Sequence, residues 1–385
     1  MKIMVIEDDD LKWKSIKGHL NKKGISDIEI IRAKNMAEFS ANLSANIGLF
    51  IIDFRLPGYE YAQPLQNGIA ILEAITKAGK ADSLLLAISS FPADFPELRA
   101  KFEANGCILT EFSNKKSWQA TLDHLLIQLK KNIQLDFLIF CALQSERAPY
   151  TALLPGSQVN RGGIDCFDIE ISGRKGSAIL LPNMGLVNAA VVAGLCIDRF
   201  KPKVVGMSGI CGGFARNASL GQLFVSSMAY EYQSGKWASD GFLQEPYQVP
   251  THHGTLTKLK FLLENEALIS QLEEGFIGFR PPMAYPPKTG IFTSGSAVIA
   301  DKVYLSQIEL IHRKVNALDM EVFAIHRAAE LSPHTPACIC AKTVVDLCDK
   351  AKKDDIHPYG SYISSKFLIK AIDDFFAPEK TLGRL

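Results

Sequence analysis

Leu49-Phe50-Ile51-Ile52-Asp53-Phe54-Arg55-Leu56-Pro57-Gly58 is an unbroken apolar run that ends on a carboxylate and then breaks at Pro-Gly. An apolar run of this length, without polar alternation, reads as a strand buried on both faces, as in parallel sheets. Similar runs stand on either side, at Ile3 to Ile6, Leu84 to Ile88 and Cys107 to Leu109. Between them the apolar residues adopt helical spacing: Ile69, Ile71, Leu72 and Ile75, then Trp118, Leu122, Leu125, Leu126 and Leu129. Strand alternating with helix predicts an α/β fold with a doubly wound parallel sheet.

The last of these helices runs into Lys130-Lys131-Asn132, and a new buried strand begins at Asp136-Phe137-Leu138-Ile139-Phe140. The boundary is therefore expected near residue 133, with a first domain over 1–130, a linker over 131–136 and a second domain over 137–378. The second stretch is again α/β. Strands are expected at Ala178 to Leu181, Val204 to Met207, Leu223 to Ser227 and Pro336 to Val345, with helices at Leu186 to Phe200 and Ser361 to Phe376.

Bulk properties limit the function classes. In a chain of 385 residues with net charge +1, no global field draws nucleic acid or anionic membrane, so recognition must be local. The eight cysteines are scattered, several in apolar strand-like runs, and read as reduced core thiols. Cys338-x-Cys340 has no second ligand pair for zinc. No signal peptide or membrane-spanning run is visible, and a cytoplasmic location is expected.

Acidic residues close two of the first-domain strands. Ile6-Glu7-Asp8-Asp9-Asp10 ends one, and Asp53 ends another. The carboxyl ends of strands form the ligand crevice of an open parallel sheet, and converging carboxylates repel unless a hard cation bridges them. Mg²⁺ is implied, leaving one carboxylate to act as a nucleophile toward a phosphoryl donor. Over about residues 1–130 the pattern resembles response-regulator receiver domains of the flavodoxin-like class. The resemblance implies that Glu7, Asp8 and Asp53 hold the metal and that Asp53 accepts the phosphoryl group. It assigns the switch hydroxyl to Ser89 and the switch lysine to Lys115 or Lys116. The implied partner is a sensor histidine kinase.

In the second domain four pieces stand in order: Cys141-Ala142-Leu143-Gln144-Ser145-Glu146, the glycine-rich Gly206 to Phe214, Ala317-Leu318-Asp319-Met320-Glu321, and Lys342-Thr343-Val344-Val345-Asp346. With Asn183-Met184-Gly185-Leu186, they resemble the nucleoside phosphorylase superfamily, closest to the methylthioadenosine/S-adenosylhomocysteine nucleosidases. The resemblance implies catalytic roles for Glu146 (activating water), Asp346 (protonating purine N7) and Glu321 (gripping ribose hydroxyls), with Met320 against the sugar. Asp319, Gly209, Ile299, Asp349 and Arg147 complete the implied substrate site, with no cofactor in this domain.

Glu146 suits water better than phosphate as the nucleophile, and Met207 and Ile210 stand where phosphorylases hold phosphate, so hydrolysis is expected. Arg147 is the counter-argument, since it can be aligned with a phosphate arginine. Val298 and Ser296 depart from the family's adenine platform. Lys350, Lys352, Lys353 and His357 would suit a polyphosphate tail or form a solvated loop. A receiver joined to such a domain resembles the response-regulator effectors of the Detocs antiphage systems, which implies a phosphorylation-regulated nucleosidase acting on ATP. The alternatives are a methylthioadenosine/S-adenosylhomocysteine nucleosidase and a non-catalytic nucleoside sensor. A homodimer or higher oligomer is expected, with Tyr230 and Tyr232 completing a neighbour's pocket.

Overall fold

The computed structural model describes residues 2–23, 28–45, 47–80, 82–131, 134–239, 241–299, 301–348 and 355–378. The chain divides into two compact units, Met1–Ile133 and Gln134–Leu385.

The first unit is a five-stranded sheet of β1 (Lys2–Ile6), β2 (Glu29–Ala33), β3 (Ile47–Ile52), β4 (Leu84–Ser89) and β5 (Cys107–Glu111). Its order is β2-β1-β3-β4-β5 and every pairing is parallel. This is the flavodoxin-like doubly wound order. Helices α1 (Asp10–Lys22), α2 (Met36–Asn42), α3 (Gly68–Lys77) and α4 (Phe95–Ala104) supply the crossovers, and α5 (Lys115–Lys131) follows the last strand. Because strand side chains alternate, Ile3 and Val5 pack with Ile16, Trp118 and Leu122 on one face. Met4 and Ile6 pack with Phe50, Phe54 and Phe102 on the other. The two-sided burial explains why β1 from Ile3 onward and β3 are apolar.

The second unit is a ten-stranded mixed sheet. It contains β6 (Phe137–Cys141), β7 (Gly156–Arg161), β8 (Ile164–Ile171), β9 (Arg174–Leu180), β10 (Val204–Gly213), β11 (Leu223–Glu231), β12 (Gln248–Pro250), β13 (Lys288–Ser294), β14 (Val315–Asp319) and β15 (Ala337–Asp346). The path runs β12-β11-β13-β14-β10-β6-β9-β8-β7, and β15 pairs with both β10 and β11. Strands β10, β15, β11, β13 and β14 therefore close on themselves in a ring.

Among the described residues this unit also carries α6 (Gln144–Leu153), α7 (Leu186–Phe200), α8 (His253–Leu263), α9 (Leu268–Glu273), α10 (Lys302–Ile311) and α11 (Val322–Leu331). A further helix, α12 (His357–Phe376), buries Tyr359, Ile363, Phe367 and Leu368 against Val204, Ile339 and Ala341. Among the described residues no helix is long and apolar enough to cross a membrane.

Candidate active site

Strand β6 delivers the chain into α6, and Glu146 lies in the first turn of that helix. Its carboxylate folds back toward the helix start. Oε2 accepts from the Ala142 and Leu143 N–H groups at 2.8 and 3.0 Å, and Oε1 accepts from Ile210 N–H at 2.9 Å. The last bond depends on Gly209. A Cβ there would lie 2.0 Å from Glu146 Oε1, so only glycine lets the β10 backbone approach. Glu146 is buried, and burial raises its pKa, opposed by the Lys342 charge and the Ile210 N–H.

A second acidic group forms between β14 and α11. Asp319 accepts from Ser294 Oγ at 2.5 Å and from the Glu321 and Val322 N–H groups at 3.1 and 2.9 Å, which fixes the turn that presents Met320 and Glu321. Glu321 Oε1 accepts from Gly185 N–H at 3.0 Å, at the start of α7. Lys342, buried on β15, ties the group together through Asp319 Oδ2 and Glu321 Oε2, both at 2.9 Å. Burial opposes the lysine's charge, but Asp319, Glu321 and Glu146 together hold its pKa well above the ordinary value.

Asp346 closes β15. Its register against β10 slips at the end, pairing Cys211 with Val344 and Gly212 with Asp346. The slip is a bulge at Val345. In a regular strand neighbouring side chains face opposite ways, whereas here Val345 and Asp346 both line one cavity. Asp346 Oδ1 accepts from Cys348 N–H at 2.8 Å.

That cavity, of about 180 Å³, brings together Glu146, Asp319, Met320, Glu321, Lys342 and Asp346. Met184, Val298 and Ile299 supply apolar wall, and His357 stands at its edge from the start of α12. Four carboxylates, from residues 146, 319, 321 and 346, thus share one chamber with one buried ammonium. Such a chamber can hold a ribose by its hydroxyls, activate a water and protonate a leaving base.

Other expected site residues lie elsewhere. Gly209 stands behind Glu146, outside the cavity lining. Arg147 is also outside that lining, because its guanidinium pairs with Asp165 at 2.7 Å and Gln144 at 3.1 Å. Asp349, Lys350, Lys352 and Lys353 lie outside the described residues. Tyr230 and Tyr232 are fully buried within their own unit, in a cluster with Phe214 and Ile299, which corrects the expectation that they reach a neighbouring subunit's pocket. Lys342 was missed as a site residue. Its signal was a lone lysine within the apolar run from Ala337 to Val345.

In the first unit, one ligand atom from each of Glu7, Asp8 and Asp53 lies within 4.8 Å of the others. Their donor set suits a hard divalent ion. Lys12 already reaches into it, with Nζ 2.8 Å from Glu7 Oε2 and 2.9 Å from Asp53 Oδ2, and all three side chains are buried. Asp9 aims the lysine by capping α1, accepting from Leu11 and Lys12 N–H. A divalent ion fits these carboxylates once the ammonium gives way. Burial, opposed by Lys12 and aided by Asp53, pushes Glu7 up to about 7. Ser89 is buried at the end of β4. Lys115 and Lys116 begin α5 as exposed residues, because Phe112, Ser113 and Asn114 separate them from the end of β5. The ammonium that meets the acidic cluster is that of Lys12, in place of the one expected from Lys115 or Lys116.

The family model described as the phosphorylase superfamily matches residues 136–372. Over 409 aligned residues the chain is 27% identical to the uncharacterized protein y4jS of Sinorhizobium fredii, covering 97% of this chain and 99% of that one. It is 28% identical over 189 residues to ATP nucleosidase Cap17 of Escherichia coli, covering 46% of this chain and only 37% of that protein. The fold matches a 5′-methylthioadenosine/S-adenosylhomocysteine nucleosidase from Neisseria meningitidis with a TM-score of 0.51 at 17% identity, over 62% of this chain and 98% of that one.

Proposed function

Since this chain belongs to the phosphorylase superfamily, we propose that its second unit hydrolyses the N-glycosidic bond of a purine nucleotide, with ATP as substrate and adenine and ribose triphosphate as products. The observation that carries the reading is the convergence of Glu146, Glu321 and Asp346 on one cavity.

Glu321, held by Lys342 and Gly185 N–H, takes the ribose hydroxyls. Asp346 gives a proton to N7 as the C1′–N9 bond breaks. Glu146 takes a proton from the water whose oxygen joins C1′. Its raised pKa suits that role, since a base is most effective when its pKa lies nearer the working pH. Water is favoured over phosphate as nucleophile because Glu146 faces the cavity while the neighbouring Arg147 is committed to Asp165 and Gln144. ATP is favoured by the resemblance to Cap17 and by the lysine-rich stretch after Asp346.

The first unit supplies regulation in this reading, with Asp53 accepting a phosphoryl group from a sensor histidine kinase within an antiphage pathway. A hard divalent ion held by Glu7, Asp8 and Asp53 would neutralise charge on the incoming phosphoryl group. An exposed apolar stripe on α7, formed by Val187, Val191 and Leu195, supports a homodimer as the assembled form.

The test is release of free base from ATP, AMP, adenosine and methylthioadenosine, each with and without a small phosphodonor. Adenine from ATP, increased or decreased by the phosphodonor, is the expected result. Release from methylthioadenosine alone would replace the substrate assignment, and no release from any of them would overturn the enzymatic reading.

A further inference from the structure

We propose that His326, Cys338 and Cys340 form a zinc site that clamps α11 to β15. The sequence shows Cys338-x-Cys340 without a partner, and the fold supplies one. Alternation along β15 puts both thiols on one side of the strand, with their Sγ atoms 3.8 Å apart. Two thiolates bound tetrahedrally to one zinc at its usual bond length are separated by about 3.8 Å. His326, on α11, completes the group, and the three donor atoms lie within 4.8 Å of one another. The imidazole is 2% exposed, its neighbour in the group is the Cys340 thiol, and its Nε2 makes no hydrogen bond to nitrogen or oxygen among the described residues. A buried polar atom in that state is costly unless something occupies it.

Two thiolates and an imidazole are the donor chemistry of Zn²⁺, and three protein ligands leave a fourth position for water. An entry route exists, because His326 and Cys338 line an open groove of about 1120 Å³. The clamp joins the two elements that carry the catalytic ion pair. Glu321 immediately precedes α11 and Lys342 lies further along β15, so zinc would secure the same helix and strand at a second point. The site does not depend on which nucleotide is cleaved.

The test uses the full chain, stripped of metal and titrated with Co²⁺. The expected result is a single bound ion with thiolate-to-cobalt charge-transfer absorption and the intense d–d bands of a tetrahedral site. Cys338→Ser and Cys340→Ser should each reduce the charge-transfer band, and His326→Gln should keep it while weakening affinity by ~10-fold or more. Zn²⁺ should displace cobalt and raise the Tm of the wild-type chain. Should the variants fold poorly, equilibrium dialysis of the wild-type chain against Zn²⁺ in excess Mg²⁺ decides. One zinc should be retained per chain. No thiolate band in the wild type, or no zinc retained, overturns the site.

Discussion

The Lys342 ammonium lies 2.9 Å from Asp319 Oδ2 and 2.9 Å from Glu321 Oε2, so one buried cation holds the two acids on either side of Met320. Removing one partner of a buried ionic group leaves uncompensated charge, at a cost of about 3–5 kcal/mol. Lys342→Met is expected to lower the Tm and to reduce base release, and Lys342→Arg to recover part of both. Thermal denaturation alongside steady-state kinetics checks this. A Lys342→Met protein with wild-type Tm and turnover would mean that the contact carries no weight.

Glu146→Gln and Asp346→Asn keep shape while removing, in turn, the proton acceptor and the proton donor. Each is expected to cut kcat by ~10²–10⁴-fold, the usual contribution of a positioned acid or base. Adenine release followed by chromatography measures it, with circular dichroism to confirm that the fold persists. Turnover within a few-fold of wild type in either variant would remove that residue from the mechanism.

Gly209→Ala puts a methyl group where Glu146 Oε1 now sits, 2.0 Å away. The carboxylate must swing off the Ile210 N–H, and a small displacement of a catalytic group can cost ~10²-fold. The expected signature is a fall in kcat with KM much less affected. An alanine variant as active as wild type would show that the carboxylate can work from another position.

Acidification should silence the enzyme earlier than an ordinary glutamate would. Burial raises the pKa of Glu146, and a general base works only when deprotonated, so activity is lost as pH falls through that raised value. The acid limb of the kcat/KM profile is therefore expected above the usual carboxylate range. A limb at or below that range would contradict the environment described for Glu146.

Lys12→Met removes the ammonium between Glu7 and Asp53 and leaves two buried carboxylates facing each other. The variant is expected to melt at lower temperature in chelator and to recover with Mg²⁺, and to bind Mg²⁺ more tightly than the wild-type chain. Differential scanning fluorimetry across a Mg²⁺ series reads both effects. A variant indifferent to Mg²⁺ would rule out a divalent ion on these carboxylates.

Much of the architecture was legible because it rests on local pattern. The runs at Ile3, Leu49 and Leu84 are strands because burial on both faces demands continuous apolar side chains. Glu146, Glu321 and Asp346 were legible through the resemblance to the nucleoside phosphorylase superfamily, since local pattern alone shows only acids at or just after apolar strands. What stayed hidden depends on contacts between distant segments. Lys12, near Lys14 and Lys17 in sequence, reads as part of a solvated helix face, and only packing beside β1 and β3 buries it. Arg147 sits next to Glu146 in sequence, yet Asp165 on β8 turns it elsewhere. His326 lies well before the two cysteines it meets, beyond the reach of spacing rules.

The bulge at Val345 makes the length of β15 a chemical parameter. Shortening the strand by one residue there would restore regular alternation and turn either the acid or its neighbour to the far side of the sheet. Single deletions within 343–345 are accordingly expected to lower base release wherever they turn the intact Asp346 carboxylate from the cavity, a loss of aim distinct from the loss of the acid itself in Asp346→Asn.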